Sequence, residues 1–154
     1  MNYILNTLME TMTMIIGNDS EAAGNSGVEK LLKLLIVDDD AIIRMVIEKY
    51  ALRKGWGVFL AEDGQAAIDA YQKQKFDIVI MDCQMPVLDG YETTAAIRQF
   101  ESQRGTCTPI IALTANALAG VRERCLKAGM DDYLTKPFAA NAFYAIVGKW
   151  AKSK

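Results

Sequence analysis

From residue 31 onward the chain alternates between short unbroken apolar runs and longer stretches whose apolar residues recur every three or four places. LLKLLIV (31–37), FDIVIM (76–81) and PIIAL (109–113) are runs of the first kind, joined by the shorter GVFLA (57–61) and DYLT (132–135). Helical spacing fills the gaps at 41–54, 64–75, 90–102, 119–129 and 139–151, the first stopped by Gly55 and the fourth ended by Gly129. Five strands alternating with five helices predict an α/β fold, a doubly wound parallel sheet covered on both faces. Beyond this alternation the chain carries no internal repeat.

Open sheets of this kind bind at the carboxyl ends of their strands, near the point where strand order reverses. The strand exits therefore decide the chemistry. The first strand leaves into Asp38, Asp39 and Asp40, the third into Asp82, the fourth into Thr114, and the fifth into Lys136 followed by Pro137. The second leaves through Ala61 into Glu62 and Asp63, which read as loop. In a sheet of order 2-1-3-4-5, Asp38, Asp39, Asp82, Thr114 and Lys136 crowd one rim.

Carboxylates so gathered repel one another unless a cation sits among them, and Lys136 supplies one charge only. Oxygen donors of this type suit a hard divalent ion, Mg²⁺ first, with Mn²⁺ as the alternative. The set has a chemical use. Asp82 is a candidate nucleophile for a phosphoryl group, and the ion, Lys136 and the Thr114 hydroxyl each offer a partner to one phosphoryl oxygen. Taken singly, the Asp38–Asp40 run reads as a helix N-cap, Thr114 as a loop hydroxyl and Lys136 as a surface lysine. Their joint placement at four of five exits favours the functional reading.

Composition narrows the field. The 17 basic and 19 acidic residues leave a net charge of -2, with no basic field for nucleic acid. Histidine is absent, which removes imidazole-based zinc sites, serine–histidine or cysteine–histidine nucleophile pairs, and any role as a phosphohistidine donor. Cys83, Cys107 and Cys125 are odd in number and form no CxxC pair, which points to reduced thiols and a cytoplasmic location. Met81 and Met85 read as packing residues, Cys83 as a lining residue, and Trp56 and Trp150 as packing at element ends.

The first sixteen residues lack the basic start of a signal peptide and are too broken in hydropathy to span a bilayer. Ile4, Leu8, Met12 and Ile15 fall near helical spacing, so residues 1–30 read as an extension with an amphipathic helix and a flexible linker, and 31–154 as the folded domain.

The stretches LLIVDDD, DIVIMDCQMPVLDGYE, PIIALTANA and AGMDDYLTKPF, in this order and spacing, strongly resemble the response-regulator receiver domain of two-component and phosphorelay signalling. The resemblance covers about residues 31 to 151 and implies a flavodoxin-like sheet of order 2-1-3-4-5. It implies that Asp82 is the phosphoacceptor, that Asp39 ligates Mg²⁺ directly and Asp38 largely through water, and that the backbone carbonyl of Gln84 completes the metal site. It further implies that Thr114 and Tyr133 are the switch pair, and that Lys136 is the family's lysine, followed by a cis bond to Pro137. Asp40 is an extra acid beside the pair. The implied partners are a sensor histidine kinase or a histidine phosphotransfer protein, and a downstream protein docking on the face of helix four, strand five and helix five. The wording of the motifs is similar to receivers of hybrid sensor kinases; a free-standing regulator and a relay shuttle are the other expectations. Such a domain accepts phosphate and slowly loses it, and is not otherwise an enzyme.

Two other readings stand beside this one. A haloacid-dehalogenase-type phosphatase would use Asp38 as nucleophile, with Asp40, Lys136 and the MDDY acids (130–133). Against it, Ile42 stands where that family wants threonine or valine, Lys136 follows the acid pair, and the chain leaves no room for a cap domain. A degenerate receiver that only binds protein is the third reading; the full acceptor set argues against it.

Overall fold

The computed structural model describes residues 31–152. The extension 1–30, with the helix and linker expected there, lies outside the described residues. Elements alternate along the chain: β1 (Lys33–Val37), α1 (Ala41–Arg53), β2 (Gly57–Ala61), α2 (Gly64–Lys73), β3 (Ile78–Asp82), α3 (Gly90–Arg104), β4 (Ile110–Thr114), α4 (Ala119–Lys127), β5 (Asp132–Thr135) and α5 (Ala140–Ala151). The strands form one parallel sheet in the order β2-β1-β3-β4-β5.

Successive side chains of a strand point to opposite faces, so the apolar runs of β1, β3 and β4 feed two cores at once. Leu34, Ile36, Ile78, Ile80, Ile111 and Leu113 face α1 and α5, where Ile47, Tyr50, Phe143 and Val147 are buried. Leu35, Val37, Val79, Met81, Ile110 and Ala112 face the other way, onto Ala67, Ala70 and Tyr71 of α2, Ile97 of α3 and Cys125 of α4. The edge strand β2 is covered less well than its neighbours, and Phe59 and Leu60 remain exposed. Met81 and Met85 are buried as expected for packing residues, and Trp56 and Trp150 pack against the α1–α5 core.

Helix starts explain four acids. Asp40 is the N-cap of α1, its Oδ1 accepting the Ile42 N–H at 2.8 Å. Asp63, read from sequence as loop, caps α2 by accepting the Ala66 N–H at 2.7 Å. Asp89 and Glu92 close a reciprocal capping box on α3. By contrast α4 starts at Leu118 with no side-chain cap.

Candidate functional site

Register sets the site. Val37 of β1 lies level with Met81 of β3, so the next residues, Asp38 and Asp82, leave adjacent strands side by side. Asp82 is itself the last residue of β3 and pairs with Leu113 of β4, while Thr114 at the end of β4 pairs with Thr135 of β5, one residue before Lys136. The strand ends thus bring acids and lysine to one rim, with Asp82 and Thr114 inside their strands rather than just beyond them.

Asp38 is fully buried. Its carboxylate accepts the Asp40 N–H at 2.9 Å and the Lys136 ammonium at 2.7 Å, and its backbone carbonyl accepts the Arg44 guanidinium at 2.6 Å. Lys136 Nζ also stands 3.2 Å from Asp82 Oδ1. Asp39 is exposed, yet one carboxylate oxygen from each of Asp38, Asp39 and Asp82 falls within 4.8 Å of the others. That spacing and that donor chemistry fit a hard cation with oxygen ligands. The Lys136–Pro137 peptide is cis.

Burial first, and then the neighbouring charge of Asp38, push the Asp82 carboxyl up to about 6 against the opposing pull of Lys136 and the Gln84 N–H. Burial alone would lower the Lys136 ammonium, but its hydrogen bond to Asp38 and the charges of Asp82 and Asp38 outweigh that and raise it. The rim therefore holds more carboxylates than its one lysine balances, an arrangement that a bound cation would relieve.

The other expected residues are arranged less tightly. The buried Thr114 hydroxyl is occupied with its own loop, lying 3.1 Å from the Asn116 carbonyl oxygen it donates to and accepting the Asn116 N–H at 3.2 Å. Tyr133 is half-buried against the core on the α2–α3–α4 side, level with Ala112. Gln84 exposes its side chain and donates its backbone N–H to Asp82 Oδ1 at 3.3 Å. Arg44 and Asn116 join this rim without a role expected from the sequence; Asn116 lies within PIIALTANA, where Thr114 alone stands out, and Arg44 lies in a stretch that reads only as helix.

Beside Asp82, a cleft of about 830 Å³ opens between the β3–α3 loop and the start of α4, with Cys83, Tyr91, Thr114 and Arg124 among its walls. Burial lifts the Cys83 thiol up to about 12, against a hydrogen bond from Tyr91 that pulls it down. Cys83 is thus a lining residue, as expected from the sequence, and burial holds it mostly as the protonated thiol at neutral pH. The phosphatase reading does not suit this rim: Asp38, its would-be nucleophile, is fully buried with Oδ2 held by Lys136.

Comparison with known proteins agrees with this geometry. The family model for the response regulator receiver domain matches residues 34–148. The chain is 44% identical over 119 residues to the sensor histidine kinase GacS of Pseudomonas protegens, covering 77% of this chain but 13% of that one. The receiver domain of sensor histidine kinase PA1611 from Pseudomonas aeruginosa, solved with magnesium coordinated in its active site cleft, is 45% identical with a TM-score of 0.72, covering 79% of this chain and 98% of that one. The receiver domain of Ssk1 from Saccharomyces cerevisiae, solved with the histidine phosphotransfer protein Ypd1, is 30% identical with a TM-score of 0.76, covering 79% and 89%. Among the described residues no helix is long and apolar enough to cross a membrane.

Proposed function

The chain belongs to the response regulator receiver domain family, and on that premise we propose that residues 31–154 form one phosphoacceptor unit that takes a phosphoryl group from a partner phosphohistidine onto Asp82. The observation that carries this reading is the lysine bridge: one ammonium reaches the carboxylates of both Asp38 and Asp82, beside a third acid close enough to share a cation.

In the transfer, an Asp82 carboxylate oxygen forms the new bond to phosphorus while the bond from phosphorus to the partner's imidazole nitrogen breaks. The nitrogen keeps the electron pair. Asp38 and Asp39, with Asp82 and the Gln84 carbonyl, would hold Mg²⁺, or Mn²⁺ in its place, since both are hard divalent ions. When bound, the ion supplies charge neutralisation for the incoming phosphoryl oxygens. Lys136 takes another oxygen, swinging from Asp38 by a short distance. Thr114 must release Asn116 to reach the third, which draws the β4–α4 loop inward and lets the Tyr133 ring sink further. That movement reshapes the face of α4, β5 and α5, where a downstream protein would dock.

The donor would be a sensor histidine kinase or a histidine phosphotransfer protein, acting in the cytoplasm. Ile42, Val87 and Leu118 are exposed apolar residues on the segments that follow β1, β3 and β4, and they offer such a partner a contact around the mouth. Beyond its own phosphorylation and slow dephosphorylation the unit would catalyse nothing. The test is transfer from a radiolabelled phosphohistidine donor in Mg²⁺. Label is expected on the chain and absent from Asp82→Asn; label persisting on that variant would reject the assignment.

A further inference from the structure

Helix α4 is the most lightly held helix of the fold. It has nine residues, no side-chain cap at its start, and a single buried side chain, Cys125. That one anchor meets the sheet at Cys83, the residue directly after Asp82, with the two sulfurs 4.0 Å apart and both side chains buried. Cys83 also lines the open cleft beside the acid rim, whereas Cys107, the remaining cysteine, is exposed before the amino end of β4, at the opposite end of the strands.

We propose that Cys83 and Cys125 are an oxidisable pair whose disulfide latches α4 to the end of β3. A disulfide sulfur–sulfur bond is about 2 Å long, so the sulfurs must close by about 2 Å. A nine-residue helix with one fully buried side chain, Val121 packing only partly buried beside it, can move that far more readily than the sheet, so α4 makes the approach. The oxidant class is a hydroperoxide entering through the cleft. Its O–O bond breaks, one oxygen going to the Cys83 sulfur to give a sulfenic acid and the other leaving as water or alcohol. The Cys125 sulfur then attacks the Cys83 sulfur; the S–S bond forms, and the hydroxyl leaves with the Cys125 proton as a second water. The two thiols lose two electrons and two protons in all, and the peroxide takes them up.

Both thiols are shielded, so the bond forms over sustained exposure rather than within one signalling event. Its consequence is mechanical. A latched α4 cannot follow the β4–α4 loop, so a receiver in this state would hold its α4 surface fixed whatever the state of Asp82. That consequence rests on the phosphoacceptor reading; the bond itself does not.

The experiment uses the full chain carrying Cys107→Ser, which removes the exposed thiol, in hydrogen peroxide followed by peptide mapping without reductant. The expected result is a peptide containing Cys83 linked to one containing Cys125 within one chain. Amide exchange across residues 119–127 should slow by about tenfold, and a reductant should restore it. Adding Cys83→Ser or Cys125→Ser should abolish both effects. Two thiols still free after oxidation, Cys83 oxidised further with Cys125 untouched, cross-links only between chains, or a linked pair with unchanged exchange would each overturn the latch. The exchange readout does not involve Asp82 chemistry, so failure of the latch and failure of the phosphoacceptor assignment are separable.

Discussion

Gly90 passes so close to Asp82 that a Cβ built on it would stand 2.0 Å from the Asp82 carbonyl oxygen. Its own N–H donates to the Cys83 carbonyl at 3.1 Å, which draws the start of α3 against the end of β3. The obstacle is backbone rather than a side chain that could rotate away. Gly90→Ala is therefore expected to displace the strand end that carries Asp82, the proposed acceptor, costing about 2–4 kcal/mol of stability. Denaturant unfolding measures the loss, and Mg²⁺ affinity should fall in the same variant because the three acids no longer converge. A variant with unchanged stability would mean that the loop yields freely.

Lys136 serves two acids, and its removal separates charge balance from chemistry. Lys136→Ala leaves the rim more negative, so Mg²⁺ is expected to bind at least as tightly. Transfer onto Asp82 should nevertheless fall by about 100-fold, the usual cost of losing a positioned cationic partner of the moving charge. Metal titration and single-turnover phosphotransfer on the same preparation distinguish the two effects. Parallel losses in both would make Lys136 a structural residue.

Much of this was legible because a parallel sheet writes itself plainly. Strands buried on both faces must be apolar throughout, so LLIV, IVIM and IIAL stand out, and β2 and β5 were located to the residue. The acids were legible because carboxylates after such runs are otherwise costly. Local ambiguity hid other roles. Asp63 looks like loop, yet it caps a helix, and although the Asp38–Asp40 run taken singly reads as an N-cap, only backbone geometry picks out Asp40 as the residue that caps. Contacts between residues distant along the chain were hidden too: nothing in the sequence joins Cys83 to Cys125, or Tyr71 to Glu101 and Thr108. Val87, a β-branched residue at φ 69°, breaks the usual preference in the Pro86–Gly90 bend, where a glycine would have announced the turn.

The charge imbalance at the rim predicts that Asp82 destabilises the metal-free protein. Asp82 titrates at about 6 in the fold against 3.8 when unperturbed, because burial and Asp38 disfavour its charge. A raised carboxyl pKa means the folded state holds the proton more tightly. The penalty therefore grows as pH rises through the unfolded value and is complete above the folded one. Asp82→Asn should stabilise the metal-free chain by about 2 kcal/mol near neutral pH, and the gain should fade toward pH 4. Mg²⁺ should stabilise the parent more than the variant. Thermal melts with and without Mg²⁺ at two pH values check both statements; a destabilised Asn variant would contradict them.

Thr114 is engaged with Asn116 at both its donor and acceptor functions, so its hydroxyl has to exchange partners before it can serve a phosphoryl group. Thr114→Ala should still accept label from a phosphodonor, within about tenfold of the parent rate, since one neutral hydrogen bond is at stake. It should lose the change in Tyr133 environment proposed to follow phosphorylation, read by aromatic NMR signals. A normal Tyr133 response in this variant would show that the loop moves without the hydroxyl.

Far from the rim, Glu101 is nearly inaccessible to solvent, with every oxygen engaged. Oε1 accepts the Tyr71 hydroxyl at 2.5 Å and the Thr108 N–H at 2.6 Å, while Oε2 accepts Arg98 at 2.6 Å. Arg98 continues to Asp131 and to the carbonyls of Gly129 and Thr108, tying α3 to the segments entering β4 and β5. Burial would raise the Glu101 carboxyl, but the hydrogen bonds from Tyr71, Arg98 and Thr108 overcome it and hold the group below its ordinary 4.5. A depressed carboxyl contributes stability that is complete above the unfolded value and is lost as pH falls through the folded one. Glu101→Gln keeps the shape but not the charge, so it should cost about 1–3 kcal/mol at neutral pH. The difference between parent and variant should shrink as pH falls below the ordinary 4.5, because the parent alone loses this contribution. Asp131 and Asp132 remain in both chains, so the difference isolates Glu101. Urea unfolding across that range reads it directly; a difference that stays constant with pH would mean that the carboxylate's charge contributes nothing and that shape alone holds this end of the sheet.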